Sequence, residues 1–380
     1  MTDPRVERLA ALIVDYSLEL GERKVLRIDA FEGASPLALA LYKAALRAGA
    51  FPYPNVIVDG IVELLLEHAS EEQLEYVSPL HRHEIEVIDA LVTVWSEANT
   101  RSLTRADAGR QARLLGAQRK LANRRWERIA AGELRWCGTL FPTAAHAQEA
   151  SMSLEEYEDF VFAACHVDEE DAAGHWRLVA ASLASRAEDL ESVRELRVVG
   201  PDTDLRIGVE GRKWIAADGR YNMPDGEVFT SPVETETEGE IRYTFPAIYQ
   251  GREVEDIRLR FAGGRVVAAE AGRGGEYLRT LLDMDDGARI LGEVAFGLNY
   301  EIDRFTRNIL FDEKIGGTMH FALGSAFPQA GGSNTSGLHW DMICDLREEG
   351  EVHADGELIW KAGRFLTEAA ADPVGAAEHG

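Results

Sequence analysis

The sequence predicts an α/β N-terminal domain with a mainly parallel sheet, followed by an α+β C-terminal domain with antiparallel strands. Three observations predict this organisation. Strand and helix patterns alternate in the first half, strand patterns with a period of two dominate the second half, and this change falls at about residue 188. A chain of 380 residues is also long enough to bury two hydrophobic cores. We therefore expect domains over residues 1–188 and 189–380.

The first element is predicted to be a helix. Asp3 is a candidate N-cap, Pro4 suits the first helical position, and apolar residues recur at helical spacing to Leu20. Alternating strand, helix and strand patterns then indicate a parallel βαβ unit, in "KVLRIDA", "PLALALYKAALRAGA" and "FPYPNVIVDG". The same order is predicted for "HEIEVIDAL", a basic helix and "LRWCGTLFP". No GxGxxG or Walker A motif occurs in this half, so no glycine-rich nucleotide site is predicted there.

The second half is rich in strand patterns and glycine. Period-two alternation typical of antiparallel strands occurs in "LRVVGPDTDLRIGVEG", "IRYTFPAIYQG", "DIRLRFAGGRVVAAEAG" and "GEVHADGELIWKAGRF". A Gly-Gly pair marks a turn in the third of these stretches, and the helical pattern "GGEYLRTLLDMDD" interrupts the series. These features predict the α+β domain.

Charge and composition exclude several classes of partner. The formal net charge of −26, from 40 basic and 66 acidic residues, repels nucleic acid and anionic membrane surfaces. Residues 101–132 hold nine Lys and Arg against two acids, which we interpret as the solvated face of an amphipathic helix rather than a nucleic-acid site. The chain has no apolar run of ~20 residues and its start lacks signal-peptide character, so we expect a cytoplasmic protein. Three widely spaced cysteines predict reduced thiols.

Metal-ligand residue types concentrate in the C-terminal half. His339 and Asp341 are two positions apart in a strand pattern, so both side chains project from the same face. A lone pair of this kind is weak support for a metal site. Four further candidates lie upstream among glycine and apolar neighbours: Glu227, Glu293, Glu313 and His320. Because a buried carboxylate without a partner costs several kcal/mol, a nearby dication is one of the few good compensations.

These stretches resemble the M29 metallopeptidases of the aminopeptidase T and aminopeptidase S group. The resemblance covers nearly the whole chain in the same order and includes "LYKAALRAGAFPYPNVI", "WCGTLFPTAAHAQEASMSLEEYEDFVF", "NMPDGEVFTSPVETETEGEI", "LGEVAFGLN", "ILFDEKIGGTMHFALG" and "GGSNTSGLHWDMICDLR". It implies an aminopeptidase that removes N-terminal residues from short peptides with a free amino terminus. It also implies a homodimer.

The resemblance implies two divalent cations in the C-terminal domain. The residues on the family's metal-ligand positions are Glu227, Glu293, His320, His339 and Asp341, with Glu313 as a sixth. Four carboxylates and two imidazoles suit a pair of cations such as Zn²⁺, Co²⁺, Mn²⁺ or Mg²⁺. The resemblance also assigns Glu293 as the carboxylate that moves a proton from water to the leaving amine.

Phe327 departs from the family pattern, which usually has a catalytic tyrosine at this position. Three functions therefore remain open. The first is the aminopeptidase. The second is a single-iron ring-cleaving dioxygenase of the dihydroxypyridine type, in which His320, His339 and Asp341 form a facial triad. The third is a metal-dependent peptide binder with weakened or lost catalysis.

Overall fold

The structure is a computed structural model and describes residues 3–366. Its helices are α1 Pro4–Leu12, α2 Ser35–Arg47, α3 Ile61–His68, α4 Glu71–Glu75, α5 Pro79–Val87, α6 Ala108–Ala130, α7 Ala144–Glu149, α8 Leu154–Ala164, α9 Ala172–Leu190, α10 Gly275–Leu282 and α11 Ile309–Asp312. Its strands are β1 Val25–Phe31, β2 Phe51–Ile57, β3 Ala90–Trp95, β4 Arg135–Leu140, β5 Glu195–Gly200, β6 Thr203–Gly208, β7 Ile215–Ala217, β8 Asn222–Met223, β9 Glu227–Thr230, β10 Thr237–Tyr243, β11 Ala247–Tyr249, β12 Arg252–Ala262, β13 Arg265–Arg273, β14 Leu291–Gly297, β15 Thr318–Gly324, β16 His339–Asp345, β17 Glu351–Ala354, β18 Glu357–Lys361 and β19 Arg364–Phe365.

The chain divides into two compact units. One runs to Ala173 and also contains Gly219–Pro224, and the other contains Gly174–Asp218 and the chain from Asp225 onward. The predicted domain ranges, 1–188 and 189–380, stay a prediction, and residues 367–380 lie outside the described part of the chain.

The first unit is built on a parallel sheet with strand order β2-β1-β3-β4-β8. Its interior strand β1 pairs in parallel with β2 and β3, and Leu26 lies opposite Pro52 on one side and Ala90 on the other. Alternate residues of β1 are buried, namely Leu26, Ile28 and Ala30. This sheet and the helices that connect its strands confirm the predicted α/β fold.

The first helix begins where the sequence predicts it. The Asp3 carboxylate accepts a hydrogen bond of 2.8 Å from the backbone N–H of Arg5, and Pro4 occupies the first helical position. The regular helix ends at Leu12, and the chain continues through a π-helical turn over Ile13–Ser17. The stretch predicted as one helix to Leu20 therefore contains an α-helix followed by a π-helical turn, and the helical part ends at Ser17.

One predicted strand was placed too early in the chain. The stretch "HEIEV" belongs to α5, whose start is fixed by Pro79 and by the Ser78 hydroxyl, which accepts a hydrogen bond of 3.2 Å from the N–H of Leu80. The strand β3 begins only at Ala90. A serine cap followed by proline favours a helix more strongly than the short apolar alternation favours a strand.

The basic segment forms the helix α6, and its arginines contact the same unit. Arg124 pairs with Glu86 at 2.7 Å. Arg128 is buried and donates from Nη1 to the carbonyl oxygens of Ile85 and Ile88, at 2.6 and 2.9 Å. These contacts support the interpretation of an amphipathic helix. Within residues 3–366, no helix is both long enough and apolar enough to cross a membrane.

The second unit contains two antiparallel sheets. The larger has the strand order β11-β12-β10-β6-β5-β17-β18-β19, with β13 paired to β12 across a Gly263–Gly264 turn. The smaller has the order β16-β15-β14-β9-β7. Every residue of its central strands β14 and β15 is buried. The predicted antiparallel second half is confirmed, and its smaller sheet carries charged residues in a buried setting.

Candidate metal centre

The smaller sheet brings the predicted donors to one face. Glu293 on β14 lies opposite Ala322 on β15, which lies opposite Asp341 on β16. Directly opposed residues, and residues two apart on one strand, point to the same side of a sheet. His320 and His339 therefore share the face of Glu293 and Asp341. Glu227 joins them because it lies opposite Gly297, four residues after Glu293.

A bulge in β14 sets the register of Glu293. Leu291 pairs with Leu323 whereas Glu293 pairs with Ala322, so Gly292 is an extra residue in this strand. A Cβ atom on Gly292 would lie 2.2 Å from the carbonyl oxygen of Ser325. Only glycine fits this close approach, which explains the first glycine of the "LGEVAFG" stretch.

The donors form two groups of three. Glu293, His339 and Asp341 offer ligand atoms that all lie within 4.8 Å of one another, and so do Glu313, His320 and Asp341. Glu313 follows directly after α11. Asp341 belongs to both groups.

Shorter distances connect the groups. His320 Nε2 lies 3.6 Å from a carboxylate oxygen of Glu293 and 3.6 Å from Glu227 Oε2. His339 Nε2 lies 3.3 Å from the other oxygen of Glu293 and 3.5 Å from Asp341 Oδ1. All six residues predicted as metal ligands thus lie together in the second unit.

Backbone carbonyls fix the orientation of both imidazoles. His320 Nδ1 lies 2.8 Å from the carbonyl oxygen of Glu313, and His339 Nδ1 lies 2.9 Å from that of Ser325. Because a carbonyl oxygen only accepts, both Nδ1 atoms carry a proton and donate it. Each Nε2 is thereby directed into the cluster, as in histidines that bind metals.

The cluster strongly perturbs its own protonation. Burial lowers the pKa of His320, but the carboxylates of Glu293 and Glu227 outweigh it and raise the pKa to about 10. Burial also opposes the charged forms of His339 and Asp341, yet their pairing keeps the pKa of His339 well above its usual value and lowers the pKa of Asp341 to about 2. Burial raises the pKa of Glu293, but the two imidazoles outweigh it and leave the pKa below its ordinary value.

The residues present fit divalent cations. Glu227 Oε2 and Asp341 Oδ1 are buried and accept no hydrogen bond from the described residues. Buried carboxylate oxygens without a donor are costly, and a cation compensates them. Burial raises the pKa of Glu227 well above its ordinary value, which reflects the same cost. Carboxylate oxygens with neutral imidazoles suit Zn²⁺, Co²⁺ and Mn²⁺.

Phe327 lies beside the donors and supplies only apolar surface. Its ring centroid is 5.4 Å from that of His339, edge to face, and 5.0 Å from that of Phe229. Phe327 and Ile215 both pack against a small apolar cluster that includes Phe229 and Ala295. The donor face therefore continues into an apolar surface.

Sequence reasoning missed two charged residues of this region. Lys314 is fully buried, and its Nζ contacts a Glu313 oxygen and lies 3.9 Å from Asp225 Oδ1. Asp225 is itself only 1% exposed at its side chain. Lys314 stands between a candidate ligand and the apolar "IGG", so the reasoning applied to buried glutamates could have found it.

Antiparallel strands that present three carboxylates and two imidazoles on one face, with the carboxylate of Glu313 beside them, form a site of the kind found in metal-dependent enzymes. The sequence model of the thermophilic metalloprotease (M29) family matches residues 2–365. The chain belongs to this family.

Individual relatives agree with the family match. The chain is 28% identical to aminopeptidase 2 of Geobacillus stearothermophilus, over 97% of this chain and 99% of that protein. It is 31% identical to aminopeptidase T of Thermus aquaticus, over 59% of each chain. The structure of wild-type AmpT from Thermus thermophilus superposes with a TM-score of 0.85 at 26% identity, covering 96% of this chain and 99% of that chain. The resemblance inferred from the sequence is confirmed.

Proposed function

We propose that the protein is an aminopeptidase that removes N-terminal residues from short peptides, with two divalent cations in the centre described above. The observation that carries the proposal is the pair of donor triads that share Asp341. A single cation would use one triad and leave the donors of the other, apart from the shared Asp341, without a metal. The aminopeptidase names of the relatives support the reaction class.

Two divalent cations, when bound, supply a water of lowered pKa and electrostatic stabilisation of the scissile carbonyl. The residues of the chain do the rest. In the metal-free protein the imidazoles of His320 and His339 lower the pKa of Glu293 despite its burial, which favours its carboxylate form. Its carboxylate accepts a proton from the attacking water and returns it to the nitrogen of the leaving amine, so no net proton is consumed at Glu293.

The apolar surface beside the donors suits an apolar N-terminal side chain of the substrate. Phe327 and Ile215 are partly buried and pack on Phe229 and Ala295, so a leucine-like side chain would displace water there. A free amino terminus is required, since the uncompensated carboxylates and the cations are the groups that recognise an amine. An N-acetylated peptide should therefore not be cleaved.

The experiment removes metal with a chelator, adds back Co²⁺, Zn²⁺, Mn²⁺ or Fe²⁺ separately, and counts metal per chain while following Leu-p-nitroanilide hydrolysis. Two cations per chain, with hydrolysis that Glu293→Gln abolishes, is the expected result. One iron per chain without hydrolysis would instead favour the dioxygenase, and metal uptake without turnover would favour a peptide binder. The matched family and the relatives named above carry peptidase names, which favours the peptidase over the dioxygenase.

We also propose a cytoplasmic homodimer. Cys137, Cys165 and Cys344 are buried and are not joined by a disulfide within the described residues, which suits a reducing compartment. The dimer rests on the family resemblance, and light scattering coupled to size exclusion tests it directly.

A further inference from the structure

Lys314 is a buried cation at the base of the donor cluster. Its side chain is 0% exposed, and its ammonium contacts Glu313 and lies 3.9 Å from Asp225 Oδ1. Lysine is ordinarily an ammonium at neutral pH, and the two carboxylates beside this buried nitrogen favour the charged form.

The backbone holds Lys314 in this position. Its N–H donates to the carbonyl oxygen of Phe311 at 3.0 Å, and its carbonyl oxygen accepts from the N–H of Asn299 at 3.1 Å. The side-chain amide of Asn299 in turn donates to the carbonyl oxygen of Asp225 at 2.9 Å. These bonds fix the ammonium relative to Asp225, so the contact is a property of the local fold.

The carboxylates of this region outnumber the charges of two divalent cations. Asp225, Glu227, Glu293, Glu313 and Asp341 carry five negative charges when ionised, and the buried carboxyl of Asp312 precedes Glu313 in the chain. Two divalent cations supply four positive charges, and the ammonium of Lys314 supplies one more. Without divalent cations, the ammonium of Lys314, which contacts Glu313 directly, is one of the positive charges that oppose repulsion between Glu313 and its neighbours.

We propose that Lys314 is a resident third cation of this centre, a positioning residue that holds Glu313 and Asp225 in place before divalent cations bind and that weakens their binding. The inference rests on the proposed two-cation function. A fixed positive charge beside the ligands repels an incoming dication, and it also stabilises the metal-free carboxylates. Lys314 thus lowers the free energy of the metal-free state more than that of the loaded state.

Two measurements follow for Lys314→Met, made on full-length protein. The melting temperature should fall further in the metal-free protein than in the Co²⁺-loaded protein. Calorimetric titration of the metal-free protein with Co²⁺ should give binding about tenfold tighter than wild type, or more. The two results must agree, because a ligand that binds the native state more tightly also stabilises it more.

A matched control is Lys361→Met. Lys361 pairs with Glu351 at 2.9 Å but is 57% exposed. Loss of this ion pair should therefore change neither the difference in melting temperature between the metal-free and the Co²⁺-loaded protein nor the affinity for Co²⁺. Because Lys314→Met creates an uncompensated buried charge, the double variant Glu313→Gln/Lys314→Met provides a second test. It removes one charge of each sign and should recover part of the metal-free melting temperature.

Each outcome is decisive. An equal loss of stability with and without Co²⁺, unchanged or weaker Co²⁺ binding, or a double variant as unstable as Lys314→Met alone would overturn the inference and assign Lys314 a packing role. A wild-type protein that binds no Co²⁺ would overturn the proposed function itself, and the inference with it.

Discussion

The protonation of the two imidazoles makes cation binding depend on pH. Carboxylates raise the pKa of His320 to about 10 and keep that of His339 well above its usual value in the metal-free protein. Both rings therefore carry a proton on Nε2 at pH 7, and a cation must displace it. Raising the pH from 6 to 8 should strengthen binding at each position.

The size of the effect follows from proton counting. One proton leaves per imidazole, and each displaced proton changes the binding constant about tenfold per pH unit below the pKa. Between pH 6 and pH 8 the affinity for the cation bound by His320, whose pKa is about 10, should rise about 100-fold, and the affinity for the cation bound by His339 should rise in the same direction. The stability of the metal-free protein depends on pH in the opposite direction to cation affinity. The pairing of protonated His320 with its carboxylates contributes fully to the free energy of unfolding below pH 6.5, and this contribution is lost as the pH rises toward 10.

Calorimetric titration with Co²⁺ in buffers of different ionisation enthalpy measures the protons released. At least one per chain, from His320, is expected at pH 7. His353→Asn is the matched control, because His353 lies 3.5 Å from Glu351, away from the donors, and its loss should not change the proton count. Binding that does not vary with pH, or release of less than one proton, would refute the assignment of His320 and His339 as ligands.

Three further predictions concern individual residues. Phe327→Tyr restores the tyrosine hydroxyl that the family usually has at this position, and it should raise kcat for Leu-p-nitroanilide on the order of 10²-fold if that hydroxyl stabilises the reacting oxygen. An unchanged kcat at equal metal content would show that the hydroxyl is dispensable in this protein. Asp341→Asn should reduce bound metal at both positions, as counted by plasma emission spectrometry, because Asp341 belongs to both triads; two cations retained per chain would contradict that shared role. Gly292→Ala should destabilise the fold by about 1–3 kcal/mol in denaturant unfolding, since its Cβ would lie 2.2 Å from a carbonyl oxygen. Gly116→Ala, which meets no atom within 4 Å, should not be destabilising.

The sequence predicted the fold class well because its patterns are local. Period-two alternation identified β5, β6, β12 and β13, and Asp3 with Pro4 identified the first helix. The strand β3 was misplaced because the end of α5 and the start of β3 both fall within "HEIEVIDAL". Boundaries of this kind depend on which of two local preferences tertiary packing satisfies.

The sequence by itself determined which residue types could bind metal and, through the two-residue period, that His339 and Asp341 share a face. Only the tertiary structure decided which donors meet. The register of β14, β15 and β16, shifted by the bulge at Gly292, brings Glu293 to Asp341, and the burial of Lys314 beneath Glu313 becomes visible only once these strands are paired. Side-chain direction follows from a few neighbouring residues, whereas charge balance depends on carboxylates that are far apart in the chain and adjacent only in the folded sheet.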